Sequence, residues 1–404
     1  MLKPISAYDT MSPHVRLNTH KQPARKKQLR PCPENSRGQP GSFSMIAQTR
    51  LQIERSLKRF MDKVHKEYKL HLVHPSLYEG IREFALRKGK RLRPLLLILS
   101  YKGYLPANKR ISPSLYNAST CIELLHNFML IHDDIIDRSD LRRGKPTLHK
   151  ILGKIVKDAD QEKLGTDLGI IAGDIVYAMA IDAFLSIKEA PDRKERALKY
   201  FIQTAAFTAM GEFIDTVHGV DKLTNVREKD VFLNYTLKTA RYTFDCPLVS
   251  GAILAGAPAR DIRKLSELGI SIGQAFQIQD DIIGIFDSEK NIGKSVLSDL
   301  AESKKTLLVC HAFRSLKGKK RKEFLHYFNK DRKTYQDLMA VRRIFLETQS
   351  LAYSLEQVKK RLEKTSKLIR GLSMHDKYKK YIGKAFIQLF EQSRAIAAAY
   401  KIDF

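Results

Sequence analysis

The chain has 404 residues, of which 43% are hydrophobic, enough for a packed core and too many for a disordered chain. Lys and Arg number 72 against 44 Asp and Glu, and the formal net charge of +28 calls for anionic partners: nucleic acid, acidic lipid or phosphorylated substrates. Cys32, Cys121, Cys246 and Cys310 lie far apart without CxxC spacing, which argues against a zinc site or disulfide framework and for a reducing, cytoplasmic compartment.

Residues 1–44 are basic, acid-poor and rich in Pro, Ser, Asn and Gln, with no apolar period. They read as a disordered tail, as a transit-type targeting peptide, or as residues upstream of a true start at Met45. From Met45 the pattern turns helical, with Ile46, Leu51, Ile53, Leu57, Phe60 and Met61 recurring mostly at helical spacing. Long periodic segments then run to the C-terminus, punctuated by clusters such as 103–108 and 256–258, and convincing period-two strands are absent. The expected architecture is all-α, a bundle of long antiparallel helices over residues 45–404 around a central cavity. No run of about 18 uninterrupted apolar residues occurs, so no transmembrane segment is expected. The most apolar stretch, Leu168 to Leu185, carries Asp174 and Asp182 and reads as a buried helix.

Two aspartate motifs stand out. In His132-Asp133-Asp134-Ile135-Ile136-Asp137, which follows the helical run 122–131, Asp133 and Asp137 are one turn apart on one face. Carboxylates so placed repel unless a cation lies between them, and Mg²⁺ suits because it takes oxygen ligands and keeps waters and phosphate oxygens. The end of a helix also favours a cation. Asp280-Asp281 closes a second apolar run, from about Leu265, and two such motifs weigh far more than one.

Each motif is trailed by cations: Arg142-Arg143-Gly144-Lys145 after the first, and Gly293-Lys294 after the second. Upstream lies Lys88-Gly89-Lys90-Arg91-Leu92-Arg93-Pro94, and midway Lys238-Thr239. Carboxylates for metal and cations for anions in one chain suggest a metal-bridged diphosphate.

These residues resemble the trans-isoprenyl diphosphate synthases, the family of geranylgeranyl and farnesyl diphosphate synthases. The resemblance runs from about Ile46 to the C-terminus and includes Gly89 to Pro94, Glu123-Leu124-Leu125-His126, both aspartate motifs, Leu141 to Thr147, Lys238-Thr239, Phe276-Gln277, Gly293-Lys294, Ser298-Asp299 and Lys304-Lys305-Thr306. It implies the isoprenoid synthase fold, a homodimer, and a prenyltransferase joining isopentenyl diphosphate to an allylic diphosphate. Asp133, Asp137 and Asp280 would hold three Mg²⁺ ions. With Arg142, Lys238 and Lys294 those ions would bind the allylic diphosphate. Lys90, Arg93, His126 and Arg143 would bind isopentenyl diphosphate, and Thr239 and Gln277 would line the reacting carbons. Departures are Lys88-Gly89-Lys90 for the usual Gly-Gly-Lys, Glu212 where the family often has Gln, Gly284 where many members have Asp, and Ser303 before Lys304. None removes a principal metal ligand.

Phe128 and Met129, five and four residues before Asp133, lie where the growing tail would run. Phe128 without an insertion in the first motif resembles twenty-carbon, geranylgeranyl-forming members; farnesyl or longer products are the alternative. A class I terpene cyclase would carry a different second metal motif and lack the isopentenyl-binding segment, and non-catalytic synthase subunits commonly lose motif aspartates. Nucleic acid is not an expected partner, because no recognition motif accompanies the charge. Peripheral contact with an anionic membrane is compatible with it.

Overall fold

The computed structural model describes residues 41–106, 111–287, 300, 303–330 and 332–404. The expected tail lies outside these residues up to position 40, and helix begins at Gly41, ahead of Met45. The principal helices are α1 (Gly41–Tyr68), α2 (Pro75–Leu86), α3 (Leu92–Tyr104), α4 (Leu115–Ile136), α5 (Gln161–Leu185) and α6 (Pro191–Val220). Then α7 (Glu228–Asn234) runs directly into a π-helical segment, Tyr235–Asp245, and on into α8 (Cys246–Ala255). Next comes α9 (Ala259–Phe286), and the C-terminal part adds further helices from Leu307–Ser315 to Glu391–Ala399. The strands among the described residues are the two-residue pair Leu141–Arg142 and Lys145–Pro146.

Local chemistry sets the ends of these elements. Pro75 and Pro191 open α2 and α6, where a missing N–H has no partner to lose. Asp160 caps α5 by accepting from the backbone N–H groups of Glu162 and Lys163, both at 3.1 Å. Gly256, at φ +79°, ends α8 in the left-handed region.

The core centres on α3, whose Leu95 to Leu99 are all fully buried, as a helix enclosed on every side must be. It packs closely on α8: a Cβ at Gly251 would lie 2.4 Å from the Leu97 carbonyl oxygen, and Ser100 Oγ donates to the Leu248 carbonyl at 2.6 Å.

One expectation needs correction. The apolar stretch within α5 is not a fully buried helix. Gly169 and Gly173 pack it against Ile135 and His132 of α4, but Ile170, Ile171 and Leu185 are exposed. The helix is long and apolar enough to cross a membrane by length and composition, with 44% of its most apolar window buried. Its inner face belongs to the bundle, and its outer stripe leaves Ile170, Ile171 and Leu185 about half exposed.

Candidate active site

Between α4, α6, the π-segment and α9 lies a cavity of about 810 Å³ lined by Asp133, Asp137, Arg142, Glu212, Lys238, Thr239, Gln277 and Asp280. Its apolar wall includes Phe128, Met129, Phe213 and Val217. The first aspartate motif occupies the last turn of α4, with Asp137 as C-cap; the second lies in α9, before that helix ends at Phe286. Both aspartate segments therefore face one space, as expected.

The donor set suits a hard cation. Asp133, Asp137 and Asp280 offer carboxylate oxygens, and among the described residues no cysteine lines the cavity. Among the described residues no three His, Cys, Asp or Glu side chains gather into a closed metal cluster. Mg²⁺ uses one or two carboxylates and fills the rest of its shell with water and substrate phosphate, and the aspartates at this cavity offer such oxygens.

Two of the cavity cations, Arg142 and Lys238, are held by carboxylates. Arg142 Nε lies 2.7 Å from Asp134 Oδ1, and Arg142 Nη2 reaches both Asp134 and, at 3.2 Å, Asp133. Burial pushes the Asp134 carboxyl up to about 6, against the pull of Arg142. Lys238 Nζ sits 2.6 Å from Asp215, 2.9 Å from Glu212 and 3.6 Å from Asp133. Burial alone would depress this lysine, yet Asp215, Asp133 and Glu212 together hold its ammonium above the ordinary value. Burial also pushes Glu212 up to about 7.

Along the cavity wall a polar chain fixes Thr239 and Gln277. Thr239 Oγ1 donates to Gln277 Oε1 at 2.6 Å, and Gln277 Nε2 donates to Asp281 at 3.0 Å. Asp281 in turn accepts from the buried Tyr235 hydroxyl, which itself accepts from the Leu307 amide at 2.9 Å.

The hairpin separates two adjacent arginines. Arg143 and Gly144 form its two-residue turn with φ +56° and +72°, the positive pair that such a turn demands. Arg142, on the strand, points to the aspartates. Arg143 points away, donating to the carbonyls of Arg87 and Lys88 at 3.2 and 3.4 Å. There it joins Arg93 and His126 in a second cluster. Burial holds His126 well below the ordinary histidine value, with Arg93 and Arg143 adding to the effect. Arg93 donates to Tyr242 Oη and Thr243 Oγ1 at 2.9 and 2.8 Å and stacks over the Tyr242 ring. Arg93 Nε and His126 Nδ1 are buried without a hydrogen-bond partner among the described residues, as groups waiting for a ligand would be. Lys90 is exposed beside Gly89. Lys294 lies outside the described residues.

Sequence reasoning missed the Glu212–Asp215 pair as partners of Lys238, Tyr242 as the support of Arg93, and the π-segment that carries Lys238, Thr239 and Tyr242. A π-turn is wider than an α-turn and often marks a functional site. Its signal lay on other helices: a Cβ at Gly211 would lie 2.3 Å from the Lys238 nitrogen, at Gly269 2.4 Å from Asp245 Cα, and at Gly273 2.4 Å from Ala240 Cα. Gly211→Ala is therefore expected to force α6 away from Lys238. It should destabilise the fold by about 1–3 kcal/mol and lower turnover, read by thermal melting and initial rates.

A family model described as "Polyprenyl synthetase" matches residues 74–345. The chain is 33% identical over 268 residues to a geranylgeranyl diphosphate synthase of Sulfolobus acidocaldarius, covering 66% of this chain and 76% of that protein. The crystal structure of geranylgeranyl pyrophosphate synthetase from Pyrococcus horikoshii Ot3 matches with TM-score 0.73 and 28% identity, over 86% of this chain and 98% of that one. A geranylgeranyl pyrophosphate synthase from Corynebacterium glutamicum, complexed with isoprenyl diphosphate and magnesium, shares the fold at TM-score 0.76 and 23% identity, over 84% of this chain and 97% of that one.

Proposed function

The chain belongs to the polyprenyl synthetase family, and from that premise we propose that it condenses isopentenyl diphosphate with dimethylallyl, geranyl and farnesyl diphosphates to give geranylgeranyl diphosphate. It is a prenyltransferase that uses isoprenoid diphosphates and a divalent metal. The observation that carries the reading is the convergence of Asp133, Asp137 and Asp280 on one cavity with Lys238 and Arg142 at its wall.

In the proposed mechanism Asp133, Asp137 and Asp280 would hold three magnesium ions, which would supply Lewis-acid neutralisation of the departing diphosphate. Arg142 and Lys238 exchange carboxylate partners for phosphate oxygens and stabilise the leaving anion. Lys294 belongs to the same set. Lys90, Arg93, Arg143 and the neutral His126 seat the diphosphate of isopentenyl diphosphate, with Tyr242 keeping Arg93 in place. Thr239 and Gln277, locked to each other, line the reacting carbons where the double bond attacks the allylic carbon. Phe128 and Met129 close the far end of the tail channel.

A homodimer is supported by the exposed apolar side chains of α5, including Ile170, Ile171 and Leu185, which lie away from the cavity. The net charge of +28 supports peripheral contact with anionic membranes, and the buried, free Cys121, Cys246 and Cys310 support a reducing cytoplasm.

The test is elongation. The purified chain is incubated with isopentenyl diphosphate, Mg²⁺ and each allylic starter, and dephosphorylated products are separated by length. Elongation should reach twenty carbons and vanish when EDTA removes the metal. No elongation of any starter by the folded protein would overturn the proposal.

A further inference from the structure

An ammonium group has three hydrogens to donate, and three carboxylates stand around Lys238 to engage them, so an incoming phosphate must displace one. Asp215 is anchored independently, because Asn234 Nδ2 donates to its other oxygen at 2.8 Å. Asp133 is shared with Arg142. Glu212 differs from both: it stands on the cavity wall, its side chain is 20% exposed, and the ion pair it makes is with Lys238. Glu212 and Asp215 are three residues apart on α6, so they share a face and flank the same ammonium. The close seat of Gly211 against the Lys238 backbone holds that face in register.

We infer that Glu212 is a positioning residue that sets the affinity of the allylic-diphosphate site, by engaging Lys238 when the site is empty and so competing with the incoming phosphates for its ammonium. The inference rests on the reading of this cavity as the diphosphate site. Binding must take Lys238 from Glu212, and release gives it back. A site whose cations were all disengaged would grip the diphosphate product as firmly as the substrate, and Glu212 offers Lys238 a partner to return to. Asp215, tied to Asn234, keeps the lysine aimed into the cavity throughout.

The experiment compares the full chain with Glu212→Gln, Glu212→Ala and Glu212→Asp. Inorganic diphosphate with Mg²⁺ is titrated into each by calorimetry, beside steady-state kinetics with geranyl diphosphate. Loss of the partner that competes with phosphate for Lys238 is expected to tighten diphosphate binding by about three- to tenfold in the Gln and Ala variants. KM for the allylic substrate should fall by the same factor. KM for isopentenyl diphosphate should stay within about twofold, since Arg93, His126 and Arg143 are untouched, and kcat should hold or fall as release slows. Glu212→Asp, which keeps the charge, should return affinity toward that of the parent chain. Unchanged or weaker diphosphate binding in both Gln and Ala would overturn the inference, and a shift of both KM values together would point instead to a structural role. A parent chain that neither binds diphosphate nor elongates would condemn the functional reading itself; an active parent with an indifferent Gln variant would condemn only the role of Glu212.

Discussion

Replacing Asp133 with alanine is expected to lower turnover by roughly a thousandfold or more while leaving the fold intact, the scale seen when a principal electrostatic stabiliser of a transition state is removed. The carboxylate faces the cavity with its side chain 23% exposed, so its removal opens no core void. Neither neighbouring cation is stranded. Arg142 keeps Asp134, and Lys238 keeps Asp215 at 2.6 Å and Glu212 at 2.9 Å. The melting temperature should therefore stay near that of the parent chain, because the ion pairs lost are the long ones, at 3.2 and 3.6 Å. Initial rates across a magnesium titration, with circular dichroism melts, check both halves. Substantial turnover with ordinary magnesium dependence would show that the metal does not depend on this carboxylate.

Phe128→Ala is expected to move the dominant product from twenty carbons to about one isoprene unit longer. The phenyl ring borders the cavity, half-buried, with its centroid 4.9 Å from the Tyr177 ring in a stacked pair and 4.7 Å from His132 edge-on. Those two rings brace it against a tail advancing along α4. Once the phenyl is gone, Tyr177 on α5 becomes the next wall, which limits the gain. Met129, unbranched and adaptable, also lines this part of the cavity and yields more readily than an aromatic ring. The stability cost should be about 1–2 kcal/mol, below that of a fully buried phenylalanine. Chromatography of dephosphorylated products decides the matter: an unchanged length distribution would mean that Phe128 is an ordinary packing residue. Tyr177→Ala in the Phe128→Ala background should lengthen the product further.

Much of the site was legible because its signals are local. Asp133 and Asp137 are four residues apart, so helix geometry alone puts them on one face, and the preceding apolar run places them at a helix end. The hairpin was hidden because its strands are two residues each, too short for any period, although Arg143-Gly144 is a recognisable turn pair. The π-segment was hidden for another reason. Its sequence, 235–245, carries no mark of its own, and the space it needs is made by glycines on α6 and α9. The mixed burial of α5 could not be read from composition, because an apolar stripe looks the same whether it meets a neighbouring helix or none.

The sequence by itself determined the helical class and the helix face shared by Asp133 and Asp137. These follow from spacing within one element, where 3.6 residues per turn leaves little freedom. Only the tertiary structure decided which cation meets which carboxylate. Arg93 finds Tyr242 across 149 residues of chain, and Lys238 finds Asp215 across 23. It also turned Arg142 and Arg143, adjacent in sequence, toward two different clusters. Such pairings depend on how closely whole helices pack, and the glycine contacts that set those distances act between elements rather than within them.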